Sequence, residues 1–222
     1  MKSNRHLFTF LLGFYLVWII RATWLYSAVD LTIQTDTLKL VFSNSIKFAL
    51  WVFPALAYVI WHDRQNPAVT MKVTTAINWK GLAVAGAAGF FYFALVLGFE
   101  YLTAHHTLTL LFRSTAGEVW AAAAAIFVSP IIEELFFRGF VLPQFETRFG
   151  FWKANLLQSA LFVLVHWPNW IWVNGFQGWI LVTSVSIFAL GLFLGWVVKR
   201  TNSIWPAVAL HFINNFLAMF LG

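Results

Sequence analysis

The sequence predicts an all-α fold: a polytopic membrane bundle of about seven transmembrane helices enclosing a polar cavity, with residues 1–222 forming a single membrane domain. Three observations carry this. Hydrophobic residues make up 61% of the chain and charged residues only 10%, with a mean hydropathy of +0.77, far outside the averages of soluble domains. The apolar runs are long enough to cross a hydrocarbon layer of about 30 Å several times. Charges that do fall inside such a run, as in Ser129-Pro-Ile-Ile-Glu-Glu-Leu-Phe-Phe-Arg138, cost about 2.5 to 3.5 kcal/mol each on insertion scales and survive only when paired or turned toward a wet interior.

At about 20 residues per span, 222 residues leave no room for a second soluble domain. The absence of cysteine excludes disulfides, thiolate metal ligands and a cysteine nucleophile, so any chemistry must come from carboxylates, histidines or hydroxyls. The formal charge of +6 is compatible with nucleic acid, but in a membrane chain basic residues record topology and contact with anionic lipid, and no nucleic-acid partner is expected.

The first span, residues 7–29, follows Lys2 and Arg5 and is too long and too aromatic for a signal peptide. Arg21 lies near enough to its end to snorkel, which is preferred here to a buried functional arginine. The second span, 38–61, carries Lys47 and an internal Pro54 that can kink it. A polar connection, 62–80, leads to the third span, 81–104, where Gly81, Ala85, Gly86 and Gly89 permit close helix packing and Glu100 is expected at the interface.

His105 and His106 are read as solvated loop residues, since adjacent side chains do not easily converge on one ion. The fourth span, 118–142, begins near Glu118, continues through the alanines 121–125 and contains the charged stretch quoted above. The fifth, 152–166, should end at Trp167-Pro168, because proline disfavours helix in the residue before it. Residues 167–179 read as an interfacial aromatic belt rich in tryptophan. The sixth span, 177–198, has Gly191 and Gly195 in small-xxx-small spacing, and Lys199-Arg200 closes it before the seventh, 204–221. Nine basic residues (Lys2, Arg5, Arg64, Lys72, Lys80, Arg148, Lys153, Lys199, Arg200) then fall on the N-terminal side and two (Lys39, Arg113) on the other. That asymmetry predicts a multi-pass protein of the cell (inner) membrane, with its N-terminus cytoplasmic and its C-terminus outside.

Chemistry is sought in the fourth, fifth and seventh spans. With about 100° of rotation per residue, Glu134 and Arg138 share a helix face while Glu133 points away from both. Arg138 therefore pairs with Glu134, and Glu133 is left without a local counter-ion, free to act as a general base. Pro130 removes a backbone donor and can open the helix beside it. His166 closes the fifth span four residues after Phe162, and His211 stacks with Asn215 on one face of the seventh. Asn214 faces elsewhere. Singly each histidine is an ordinary structural residue; together with two intramembrane glutamates they form a convergent polar cluster.

Glu133-Glu134-x-x-x-Arg138, Phe162-x-x-x-His166 and His211-x-x-x-Asn215, in this order on three hydrophobic segments, resemble the three motifs of the CAAX protease and bacteriocin-processing family, the type II CAAX prenyl endopeptidases and their relatives. The resemblance covers roughly residues 118–222, the motif-bearing half, while the first three helices (1–117) are merely compatible with it. It implies a glutamate-dependent intramembrane endopeptidase. Carried over residue by residue, Glu133 and His166 activate a water, His211 and Asn215 stabilise the oxyanion, and Glu134 and Arg138 support them. The implied substrate is a peptide or protein near the membrane surface, lipidated in some relatives, with bacteriocin immunity or peptide maturation as the role of others.

A glutamate and two histidines with a water could also make a zinc shell, but the His-Glu-x-x-His spacing is absent, and a mechanism with no metal or other cofactor is expected. Ser114, Ser129 and Ser159 lie in no Gly-x-Ser-x-Gly elbow. A non-catalytic scaffold that serves immunity or regulates a membrane partner is the competing function. A midplane ion transporter is a third reading, unsupported by any internal repeat.

Overall fold

The computed structural model describes residues 4–103 and 123–221, and every described regular element is helical. The chain runs α1 (Asn4–Ile20), a widened π-type turn (Arg21–Leu25), α2 (Tyr26–Thr32), α3 (Asp36–Ala57), a second π-type turn (Tyr58–His62), α4 (Pro67–Thr70) and α5 (Trp79–Thr103). After a π-type turn at Ala124–Val128 come α6 (Ser129–Glu134), another at Leu135–Val141, α7 (Leu142–Phe149), α8 (Phe151–Leu164), α9 (Trp167–Asn174), α10 (Gly178–Thr201) and α11 (Trp205–Leu221). His105, His106, Arg113 and Glu118 lie outside the described residues, as does the Glu100 side chain.

Each of the seven expected spans coincides with helix. Four stretches are both long and apolar enough to cross a bilayer, Arg5–Thr32, Thr37–His62, Phe151–Asn174 and Gly178–Thr201, with a shorter apolar helix at Trp79–Leu95. The last helix, Trp205–Leu221, has 17 residues, and the fourth span is subdivided by its π-type turns. The bundle is therefore helical and membrane-embedded as expected, with spans of unequal length.

The expected stop at Trp167-Pro168 is corrected. The chain makes a single turn at Val165 and His166 and then re-enters helix, with Pro168 in the first turn of α9. There a missing N–H is no loss, because that donor has no partner inside the helix anyway. The tryptophan-rich stretch expected as a connection is thus largely the helix α9.

Successive helices alternate in direction, and contacts between their ends define two faces. At one end the His6 and His62 rings lie 5.2 Å apart, Gln144 donates to Asp63, Lys199 pairs with Glu146, the Ile204 amide donates to Lys72 O at 3.2 Å and the Asn78 amide to Thr201 O at 2.8 Å. At the other end Trp172 Nε1 donates to Ser27 Oγ at 2.8 Å, and Lys39 pairs with Asp30 at 2.7 Å. The chain reverses at Gly150 (φ 74°) on the first face and at Gly175 (φ 67°) on the second; both lie in the left-handed region that glycine alone enters without strain.

The core is aromatic. Phe14 and Trp18 of α1, Trp51 of α3, and Phe136, Phe137 and Phe140 of the Leu135–Val141 turn are buried together, with Phe14 stacked on Phe136 at 4.2 Å. This cluster binds the N-terminal helices to the motif-bearing half. Small residues let α10 approach its neighbours as expected: a Cβ on Gly191 would meet Ser159 at 3.0 Å, and one on Gly195 would meet Asn155 Oδ1 at 1.9 Å. In α5, Gly81 abuts the Arg200 carbonyl and Gly89 abuts Leu210, whereas Gly86 faces open space.

Candidate active site

A cavity of about 290 Å³ opens among α1, α3, the Ala124–Val128 turn, α6 and the α8–α9 junction. Glu133 and His166 both line it. The second helix brings Leu40, Ser43, Asn44, Lys47 and Trp51 to its wall, a spacing that places all five on one face of α3.

Glu133 is buried and does have a counter-ion, which corrects the reading made from its own helix alone. Lys47 Nζ lies 2.6 Å from Glu133 Oε1, and Ser129 Oγ donates to the same oxygen at 2.8 Å. Lys47 also donates to Ser129 and sits 4.9 Å from the Trp51 ring centre. Helical spacing could exclude Arg138 as a partner for Glu133, but it could not see a cation arriving from 86 residues upstream. The available signal was the intramembrane lysine itself, since such a charge needs a partner.

His166 caps α9, and its Nδ1 lies 2.7 Å from Phe162 O. A carbonyl only accepts, so Nδ1 carries the proton and, in the neutral ring, Nε2 keeps its lone pair. Tyr15 OH to Leu161 O at 2.6 Å and Trp18 Nε1 to Val165 O at 2.7 Å tie α1 to the last turn of α8 and hold this junction in place.

Behind Glu133 lies a second, dry cluster. Glu134 and Arg138 are fully buried and paired at 2.9 Å, as their spacing predicts. Arg138 also donates to Gly191 O at 3.3 Å and lies 4.4 Å over the Phe162 ring. His211 is buried against both carboxylates, with Nδ1 2.8 Å from Glu134 Oε1 and Nε2 3.8 Å from Glu133 Oε2. Since Glu134 accepts from Arg138 as a carboxylate, His211 Nδ1 is the donor to it. Asn155, Gln158 and Ser159 complete the cluster against α10.

Asn215 is half-buried. Its amide donates to Ala125 O at 3.0 Å, and Asn214 donates to its side-chain oxygen at 3.3 Å. Glu133 and His166 thus share the cavity, and His211 approaches Glu133 from behind. Asn215 reaches the cavity wall at Ala125 but does not line the cavity.

Arg21 departs from the snorkelling expectation. It lines the cavity, donates to Ser43 Oγ and lies 5.1 Å from the Trp18 ring. The π-type turn at Arg21–Leu25 carries its side chain inward.

A zinc shell does not fit these donors. Among the described residues no three histidine, aspartate or glutamate side chains are arranged to hold a metal ion. Glu133 Oε1 is taken by Lys47 and Ser129, and His211 Nδ1 by Glu134.

Residues 115–217 match the family described as Type II CAAX prenyl endopeptidase Rce1-like. Over 200 residues the chain is 26% identical to the uncharacterized protein YyaK of Bacillus subtilis (strain 168), covering 87% of this chain and 65% of that protein. Over 99 residues it is 27% identical to CAAX prenyl protease 2 of Methanococcus maripaludis, covering 40% of this chain and 36% of the relative. In both cases the chain spans less than two thirds of the relative's length. No solved structure gives a significant match. The matched segment contains all three motifs, and through residues 115–217 the chain belongs to the Rce1-like family of type II CAAX prenyl endopeptidases.

Proposed function

We propose that the protein is a metal-free intramembrane glutamate endopeptidase that hydrolyses a peptide or protein near the membrane surface. Membership of the Rce1-like family suggests CAAX-type protease activity. The observation that carries the reading to residues is that Glu133 and His166 line one cavity at the centre of the bundle. A carboxylate and an imidazole with an open lone pair are the two groups that can hold a water between them.

In the proposed reaction Glu133 takes a proton from that water as its oxygen attacks the scissile carbonyl carbon. His166 holds the water through Nε2. The oxyanion that forms meets His211, which as an imidazolium donates from Nε2 while Nδ1 stays on Glu134, and meets Asn215 when its amide exchanges Ala125 O for the substrate. Donors fixed in this way are worth about 2.7 to 4 kcal/mol each in comparable sites. Glu133 then returns the proton to the leaving amine as the C–N bond breaks. Glu134 and Arg138 hold His211 in register.

The Lys47–Glu133 pair favours a second reading, in which the polar groups lock the bundle and the protein is a scaffold for immunity or for a regulatory membrane partner. Replacing Glu133 by Gln separates the two. On the peptidase reading cleavage is lost while the folded protein accumulates normally; a fully active Glu133→Gln enzyme overturns it. A cellular phenotype that survives joint replacement of Glu133 and His166 supports the scaffold.

A further inference from the structure

We infer that the cavity opens on the side of the membrane opposite the basic loops, so that the substrate is a polypeptide segment presented on the extracytoplasmic face, not a cytoplasmic lipid-modified C-terminus. This rests on the peptidase reading for the word substrate, but the direction of opening stands on geometry alone.

The basic loops share one end of the bundle. Lys72 is tied to Ile204, Lys199 to Glu146, and the His6–His62 contact brings the N-terminus to the same face. Cytoplasmic ends of membrane proteins are enriched in lysine and arginine, so this end faces the cytoplasm. The opposite end has the Asp30–Lys39 pair and the Trp172–Ser27 contact.

Every helix that lines the cavity does so with the half farther from the basic end. In α3, which descends from Asp36 toward that end, the wall begins at Leu40, one turn from the reversal, and reaches its floor at the fully buried Trp51. In α1 it starts at Trp18, where the helix is already mid-way, and continues past the π-type turn to Tyr26. The α8–α9 junction contributes its distal end, Val165 to Trp170. Below Trp51 the aromatic core of Phe14, Phe136, Phe137 and Phe140 closes the route to the basic face. Ser43, Asn44 and Asn169 give the upper walls a wettable lining. A chain segment extended from the outer face can therefore reach Glu133, while one from the inner face meets a buried aromatic plug.

The chain contains no cysteine, so single thiols report water access without background. Three variants of the full protein in its native membrane are compared: Asn44→Cys in the cavity, Thr32→Cys at the distal rim and Lys153→Cys on the basic end. A membrane-impermeant maleimide is applied to intact cells whose outer barrier has been opened, and separately to inside-out vesicles. Asn44→Cys and Thr32→Cys are expected to label in the cells and to lose that labelling in sealed vesicles, with Lys153→Cys showing the reverse. Asn44→Cys following Lys153→Cys overturns the inference. So does an Asn44 thiol that reacts only after detergent solubilisation, since the cavity is then closed to both faces. The labelling needs no catalysis, so loss of the peptidase reading through an active Glu133→Gln enzyme leaves this result intact, and the converse also holds.

Discussion

Glu133 and Glu134 are neighbours in the chain, yet they belong to two polar clusters of different character. The first, with Lys47, Ser129 and His166, borders an open cavity. The second, with Arg138, His211, Gln158 and Gly191, is packed to zero or near-zero exposure. One residue of helical rotation, about 100°, separates a wet carboxylate from a dry one. A charge in the wet cluster can exchange partners with water and substrate. In the dry cluster each charge depends on a fixed partner, and Glu134 Oε2 and Arg138 Nε are already without a hydrogen bond.

The comparison is broken most forcefully by exchanging readouts between the clusters. Glu133→Gln is expected to reduce cleavage by about 10² to 10⁴-fold, the range for a general acid–base group, with little change in the unfolding temperature in detergent. Arg138→Met should behave in the opposite manner. Removing one partner of a fully buried pair costs about 3 to 5 kcal/mol, so the variant should fail to accumulate or unfold well below the parent. If Arg138→Met were stable but inactive, the dry cluster would be part of the chemistry.

A smaller effect sharpens the boundary of the dry cluster. Gly195→Ala forces a Cβ onto Asn155, whose side chain is held by Gln158 and Leu192. Overpacking of this kind costs about 1 to 3 kcal/mol, read as a drop in thermal stability with the cavity labelling unchanged. The smallest effect is expected at the basic end. Lys199→Ala breaks an exposed pair with Glu146 and should change stability by less than about 1 kcal/mol, measured in the same assay.

The legible parts of the molecule were those governed by local rules. Hydropathy located every helix, and the four-residue spacing paired Glu134 with Arg138 in the way the structure pairs them. Small-residue spacing found the tight approach of α10 to Asn155 and Ser159. What escaped depended on distance along the chain. Lys47 reaches Glu133 from a helix outside the motif-bearing half, and nothing in a helical wheel reports which neighbour will pack beside it. Arg21 escaped for a different reason: a π-type turn rotates it inward, and π-type turns leave no mark in hydrophobic periodicity. The re-entry into helix after His166 escaped because proline both ends one helix and begins another, and only packing decides which.

The widened turn at Leu135–Val141 divides the helix on which both clusters depend. Such a turn amounts to one surplus residue in the winding, so its removal would rotate all that follows by about 100° relative to all that precedes. Above it, Ser129 and Glu133 face Lys47; below it, Gln144 faces Asp63 and Glu146 faces Lys199. The turn therefore works as a phase adjuster between reactive machinery and cytoplasmic moorings, and a one-residue deletion there would leave each half individually sound while putting the two out of step.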